Sequence, residues 1–216
     1  HAPVASQLQA VMVHPWRSNL RWPDGVSAFL CGPGLADRDV PGDLRHAVLE
    51  LWQDADEPVI VDASALDWLP AKSTATRAAR VVTPHPGEAA RMLGSSVADV
   101  QRDRTAALRA LSRRYGGCWV VLKGHQTLVG RDRGPVCVNS TGNPGLAQGG
   151  SGDLLAGYLA GVLAQPALEG DPALAARYAV WQHGAAADRL SKVRPNWTIE
   201  DLAAHLGGWA EIGRDV

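Results

Sequence analysis

Residues Gly142–Gln165 read GNPGLAQGGSGDLLAGYLAGVLAQ. Five glycines fall within the first twelve residues, the chain then turns apolar, and an aspartate, Asp153, stands at the seam. A glycine-rich loop that runs into a helix aims several backbone N–H groups at one point, and the helix dipole adds partial positive charge there. A phosphoryl group is the usual occupant of such a cradle. The loop lacks both GxxxxGK[ST] and GxGxxG, so neither a Walker A loop nor a Rossmann fingerprint is present. Asp153 admits two readings. It could cap the helix, a contribution of about 1 kcal/mol. It could also be a base that takes the proton of a hydroxyl attacking the held phosphoryl.

On the N-terminal side of this loop, short apolar runs alternate with helical patterns. Val26–Cys31, Pro58–Leu66, Arg80–Thr83 and Cys118–Gly124 read as strands, and Thr127–Gly130 with Pro135–Ser140 reads as a hairpin around Arg131–Gly134. Helices are expected from Asp43, over Lys72–Ala79, from Pro86 or Gly87, over Val97–Tyr115, from Gly152 to Gln165, over Pro172–Leu190 and over Thr198–Ile212. Several strands are continuously apolar. Together with the alternation this predicts an α/β fold, a mostly parallel central sheet covered by helices on both faces. Ligands in such folds bind beyond the carboxyl ends of the strands. Those ends read GPGL, DASALD, TPHPGE, LKGHQT and NSTGNPG, all rich in polar groups, glycine or proline.

Composition narrows the function. The 216 residues suffice for one sizeable core, and the net charge of −1 offers no basic excess for nucleic acid or an anionic membrane. Arg102, Arg104, Arg113 and Arg114 read as solvated helix faces. Three widely spaced cysteines, Cys31, Cys118 and Cys137, form no CxxC pair. This argues against zinc and for a reducing, cytoplasmic setting. No apolar run approaches the length of a membrane span.

The segments CGPGL, VDASAL, TPHPGEAARML, VVLKGHQTLV, NPGLAQGGSGDLLAG and AVWQHGAAADRL, spread from about Val26 to about Leu190, resemble in sequence and order the motifs of the ADP/ATP-dependent NAD(P)H-hydrate dehydratases. That family is a branch of the ribokinase-like superfamily. The resemblance implies a ribokinase-like three-layer αβα sandwich. It also implies repair of NADHX and NADPHX, the hydrated forms of the reduced nicotinamide cofactors. ADP or ATP, with Mg²⁺, phosphorylates the C6 hydroxyl, and phosphate is then eliminated. Carried onto this chain, Asp153 is the base. Gly34 and His85 contact the hydrated dinucleotide. Lys123, Gly124, His125, Gln126 and Thr127 lie along the adenine nucleotide. Gly149, Gly150 and Gly152 form the cradle for its phosphates, and Glu88 stands where ribokinase-like kinases help hold Mg²⁺ through water. His183 reads as packing or capping. A homo-oligomer, and fusion to or pairing with an NAD(P)HX epimerase, are further expectations of the resemblance.

Three departures from the family pattern stand out. The family's opening strand–turn–helix unit is not found ahead of Val26, so a fragment or a shortened relative is expected. Ser64 and Asp67 replace an acid and an amide, and Ala36 replaces a common glycine. Two other functions remain open on the sequence: a small-molecule alcohol kinase of the same superfamily, and a nucleotide-binding relative without turnover.

Overall fold

The computed structural model describes residues 11–206 apart from 20, 37, 38, 74 and 169. Six strands form one sheet: β1 (Phe29–Cys31), β2 (Val59–Val61), β3 (Arg80–Val82), β4 (Trp119–Leu122), β5 (Leu128–Gly130) and β6 (Cys137–Val138). They lie side by side in chain order. β1 to β4 run parallel, and β5 and β6 continue the sheet antiparallel. The helices are α1 (Gly42–Asp54), α2 (Pro86–Leu93), α3 (Val97–Arg102), α4 (Arg104–Arg114), α5 (Ser151–Leu163), α6 (Pro172–Val193) and α7 (Ile199–His205).

The two-residue period of a strand divides its side chains between two cores. Val59, Val61, Val82, Val120 and Leu122 pack against α1 to α4, with Trp52, Met92, Leu108 and Leu111 among their partners. Ile60, Val81, Val121 and Val129 pack against α5 and α6, through Leu155, Leu159, Leu163 and Val180. A strand buried on both faces has little room for a polar residue whose groups are not bonded, which explains the valine and isoleucine runs. A third cluster, built on Leu190, Trp197, Leu202 and Leu206, ties α7 to α6. The three-layer αβα architecture follows.

Four sequence expectations need correction. Ala63–Trp68 is a 3-10 helix, not the polar end of a strand. Lys72–Ala79 is not helical. Lys72 has φ 66° and donates its N–H to Arg114, while Ser73 bridges to Tyr115, so the backbone is committed to other segments. Val97–Tyr115 is two helices. The backbone breaks at Asp103 (φ −144°, ψ 83°), whose side chain caps α4 by accepting from the Ala106 N–H at 2.8 Å. Asp153 is not a cap, as set out below. Ile212, the expected end of the last helix, lies outside the described residues.

Candidate active site

The carboxyl edge of the sheet is built from close backbone approaches. Gly32, at φ 128°, sits where an added Cβ would be 1.8 Å from the Asp62 carbonyl oxygen, so only glycine lets the turn after β1 lie against the end of β2. Asp62 is 1% exposed. After β3, His85 is the N-cap of α2. Its Nδ1 accepts from the N–H groups of Gly87 (3.0 Å) and Glu88 (3.3 Å), and the Glu88 carboxylate accepts from the His85 N–H at 2.7 Å. This reciprocal capping box holds the Pro-rich turn while leaving the His85 ring half exposed.

After β4, Lys123 reaches inward. Its Nζ lies 2.8 Å from Asp62 Oδ1 and 3.9 Å from Glu88 Oε2. A Cβ placed on Gly152 would be 3.1 Å from that same nitrogen. Lys123, Glu88 and Gly152, singled out separately in the sequence, therefore converge beneath the start of α5. The following turn carries Gln126 at φ 55° and Gly124 at φ 136°. Arg104 holds it. Its guanidinium donates to the carbonyls of Leu122, Lys123, His125 and Gln126. The reading of Arg104 as a solvated helix residue is thus overturned, because the turn leaves four carbonyls pointing at one donor fork. His125 and Gln126 are exposed, and Thr127 donates from its hydroxyl to the Gly124 carbonyl at 3.1 Å.

The glycine loop is anchored from α6. Asp188 accepts from the Gly142 N–H (2.8 Å) and the Asn143 side-chain amide (2.9 Å). Gly184 lets the loop touch the helix, since a Cβ there would sit 2.4 Å from Thr141 Oγ1 and 2.8 Å from the Gly142 nitrogen. Trp197 packs on Gly145 from outside. Beyond this anchored half the loop is open. Gly150, at φ 88°, is the N-cap of α5 and offers no side-chain bond. The amides of Gly149, Gly150, Gly152 and Asp153 bond no group among the described residues. Asp153 is the third helical residue, exposed, with a carboxylate that no described side chain or amide engages. The capping reading fails, because the cap position belongs to Gly150. Gly34, at φ 77° and exposed, lies two residues beyond the Gly32–Asp62 contact.

His183 on α6 is 6% exposed. Burial pushes its pKa down to about 4, a hydrogen bond to the Ser151 backbone opposing the shift, and its Nε2 has no partner among the described residues. Glu88 does not fit as a direct metal ligand. One oxygen accepts a backbone N–H, the other faces His85 Nε2 at 3.5 Å, and a lysine ammonium lies nearby. Among the described residues there is no cluster of three or more His, Cys, Asp or Glu able to hold a metal. A separate groove of about 480 Å³ between β5–β6 and α6, lined by Val129, Val138, Leu174, Tyr178 and Trp181 among others, includes none of these site residues. No described helix is long and apolar enough to cross a membrane.

Asp188, Gly184 and Arg104 were missed as site-builders. The first two sit four residues apart in HGAAAD, one face of a helix, and that spacing, inside the family-like segment AVWQHGAAADRL, is their sequence signal.

Comparison with known proteins shows the family and the fold. A family model described as NAD(P)H-hydrate dehydratase matches residues 1–206. The ADP-dependent (S)-NAD(P)H-hydrate dehydratase of Neisseria meningitidis serogroup B is 44% identical over 174 residues, covering 77% of this chain and 56% of its own length. The bifunctional NAD(P)H-hydrate repair enzyme Nnr of Vibrio cholerae is 42% identical over 195 residues, 89% of this chain and 37% of its own. The chain thus spans about half or less of the relatives it matches. The ADP/ATP-dependent NAD(P)H-hydrate dehydratase of Bacillus subtilis, co-crystallised with ATP/Mg²⁺, superposes with a TM-score of 0.74 at 32% identity, over 88% of this chain and 66% of that one.

Proposed function

The chain belongs to the NAD(P)H-hydrate dehydratase family, and on that premise we propose that it carries out ADP- or ATP-dependent dehydration of NADHX and NADPHX. The observation that carries the proposal is the start of α5. Four amides at and beside a left-handed glycine cap bond no group among the described residues, and a carboxylate without a partner among them follows one residue after Gly152. The amides and the helix dipole hold the terminal phosphoryl of the nucleotide. Asp153 takes the proton of the C6 hydroxyl as that oxygen attacks phosphorus. The bond from phosphorus to the nucleotide breaks, and AMP leaves if the donor is ADP. The C6–O bond then breaks, phosphate departs, and loss of a neighbouring C–H proton restores the ring double bond.

Lys123, Gly124, His125, Gln126 and Thr127 line the nucleotide side, with Arg104 fixing their backbone. Gly34 and His85 face the dinucleotide. Glu88 would help hold Mg²⁺ through water rather than directly, and the metal, bound with the nucleotide's phosphates, would offset their charge. ADP is the favoured donor, in keeping with the ADP-dependent relative from Neisseria. The three unpaired cysteines support a cytoplasmic setting. The bifunctional relatives support pairing or fusion with an epimerase, and self-association is proposed on family grounds.

The test is to incubate the full-length protein with NADHX and ADP, and in parallel with ATP. Absorbance in the NADH band and free phosphate should rise together. A stable phosphorylated alcohol instead would make the protein a kinase.

A further inference from the structure

Asp62 drew notice in the sequence only as a motif letter, yet it is one of the most buried charges in the molecule. Its partner Lys123 keeps 17% of its side chain exposed. Register explains why the two meet. Val61 pairs with Val82, so the next residues, Asp62 and Thr83, stand side by side, pointing to the opposite face from those valines. That is the face covered by α5, and Lys123, two residues after Val121, shares it. Thr83 is wholly buried there and its Oγ1 has no partner among the described residues. A polar floor thus lies under the open start of α5, with one hydroxyl still unbonded.

Buried ion pairs contribute little net stability, because desolvation offsets their attraction. Fixing a long, flexible lysine at one point is a better account of this pair. Two carboxylates compete for the ammonium. Asp62 holds it at 2.8 Å, close to Gly152, whereas Glu88 at 3.9 Å belongs to the start of α2. Without Asp62 the ammonium is drawn toward Glu88.

We propose that Asp62 is a positioning residue: it holds the Lys123 ammonium beneath Gly152, where that ammonium donates to a phosphate of the bound nucleotide. The inference rests on the reading above that the phosphates lie at α5. Ammonium and amides then grip the anion from two sides. Gly32 serves the same end, since its missing Cβ is what admits the Asp62 backbone.

The experiment measures dissociation constants of ADP and adenosine for the full chain by calorimetry. Adenosine reports everything but the phosphates. Asp62→Asn removes the charge. Asp62→Glu keeps the charge and the pair but moves the ammonium by a methylene, so it guards against a variant that merely fails to fold. Both should weaken ADP about tenfold, as expected for a misplaced charge-assisted hydrogen bond, and leave adenosine unchanged. Placed on Lys123→Met, Asp62→Asn should add no further loss. Unchanged or tighter ADP binding in both single variants would overturn the assignment. So would equal weakening of adenosine, or a full further loss in the Lys123→Met background. A wild-type chain that binds adenosine but gains nothing from phosphates removes the phosphate site itself, and with it both this inference and the nucleotide-dependent reading.

Discussion

Two cations, one buried and one partly buried, sit at opposite ends of the sheet and are treated differently. Arg80, at the amino end of β3, is 4% exposed and spends its donors on backbone carbonyls. Nε donates to Trp52 at 2.6 Å, Nη2 to Ala55 at 2.6 Å, and Nη1 to Glu57 at 3.0 Å, with Ala78 and Ala79 at 3.4 Å. Burial lowers its pKa, against the pull of Asp54, Glu57 and Asp56. Every acceptor is part of the fold, so Arg80 staples the end of α1 to the sheet. Lys123, at the carboxyl end of β4, has one close carboxylate, one distant one, and a face turned to Gly152. A saturated buried cation is architecture. One with donors in reserve is a binding group.

The largest effect should come from the site end. Asp153→Asn should lower turnover of NADHX about a thousandfold, in the range for loss of a general base, while ADP affinity stays within a few-fold. Equal turnover would remove the proposed base. At the other end, Arg80→Met should cost about 3 kcal/mol in urea unfolding, because buried carbonyls lose their donors. It should leave ADP affinity intact. The double variant Asp62→Asn with Lys123→Met should do the reverse. It removes both members of the close pair and leaves Glu88 its bond from the His85 N–H, so stability should stay within about 1 kcal/mol, yet the lysine's share of the phosphate contribution to ADP binding should be lost. If both variants proved equally unstable, the contrast between the two cations would collapse.

His183 extends the contrast to a base that burial has neutralised. Its folded pKa of about 4 lies below the ordinary histidine value of 6.5. Between these values the unfolded chain binds the proton that the folded chain refuses. Stability should therefore fall as pH drops from about 6.5 to about 4, by up to about 3 kcal/mol. His183→Gln should flatten that part of the unfolding-versus-pH curve. The smallest effect is expected at Gly152. Gly152→Ala places a methyl 3.1 Å from Lys123 Nζ, so ADP should weaken several-fold, about 1 kcal/mol, while helix propensity keeps stability level or raises it.

How far the sequence could be read depended on how local the cause was. The strands were legible because double-sided burial writes continuous apolar runs, as in Val59–Val61 and Trp119–Leu122. The start of α5 was legible because glycines and an acid at a helix entry have few other uses. The break at Asp103 was hidden inside a helical pattern that continues on both sides. Lys72–Ala79 looked helical because its backbone partners, Arg114 and Tyr115, are distant in sequence. Arg104 looked like a surface residue because the four carbonyls it binds belong to a turn formed about twenty residues later. Asp62 carried a motif letter, but its meaning came from a lysine 61 positions away.

The most direct test is a crystal structure of the full-length protein with ADP. The account predicts the terminal phosphate within hydrogen-bonding distance of the Gly150 and Gly152 amides and of Lys123 Nζ, with the Asp153 carboxylate facing the phosphorus from the open side. Phosphates bound elsewhere, or an Asp153 side chain turned away from them, would contradict it.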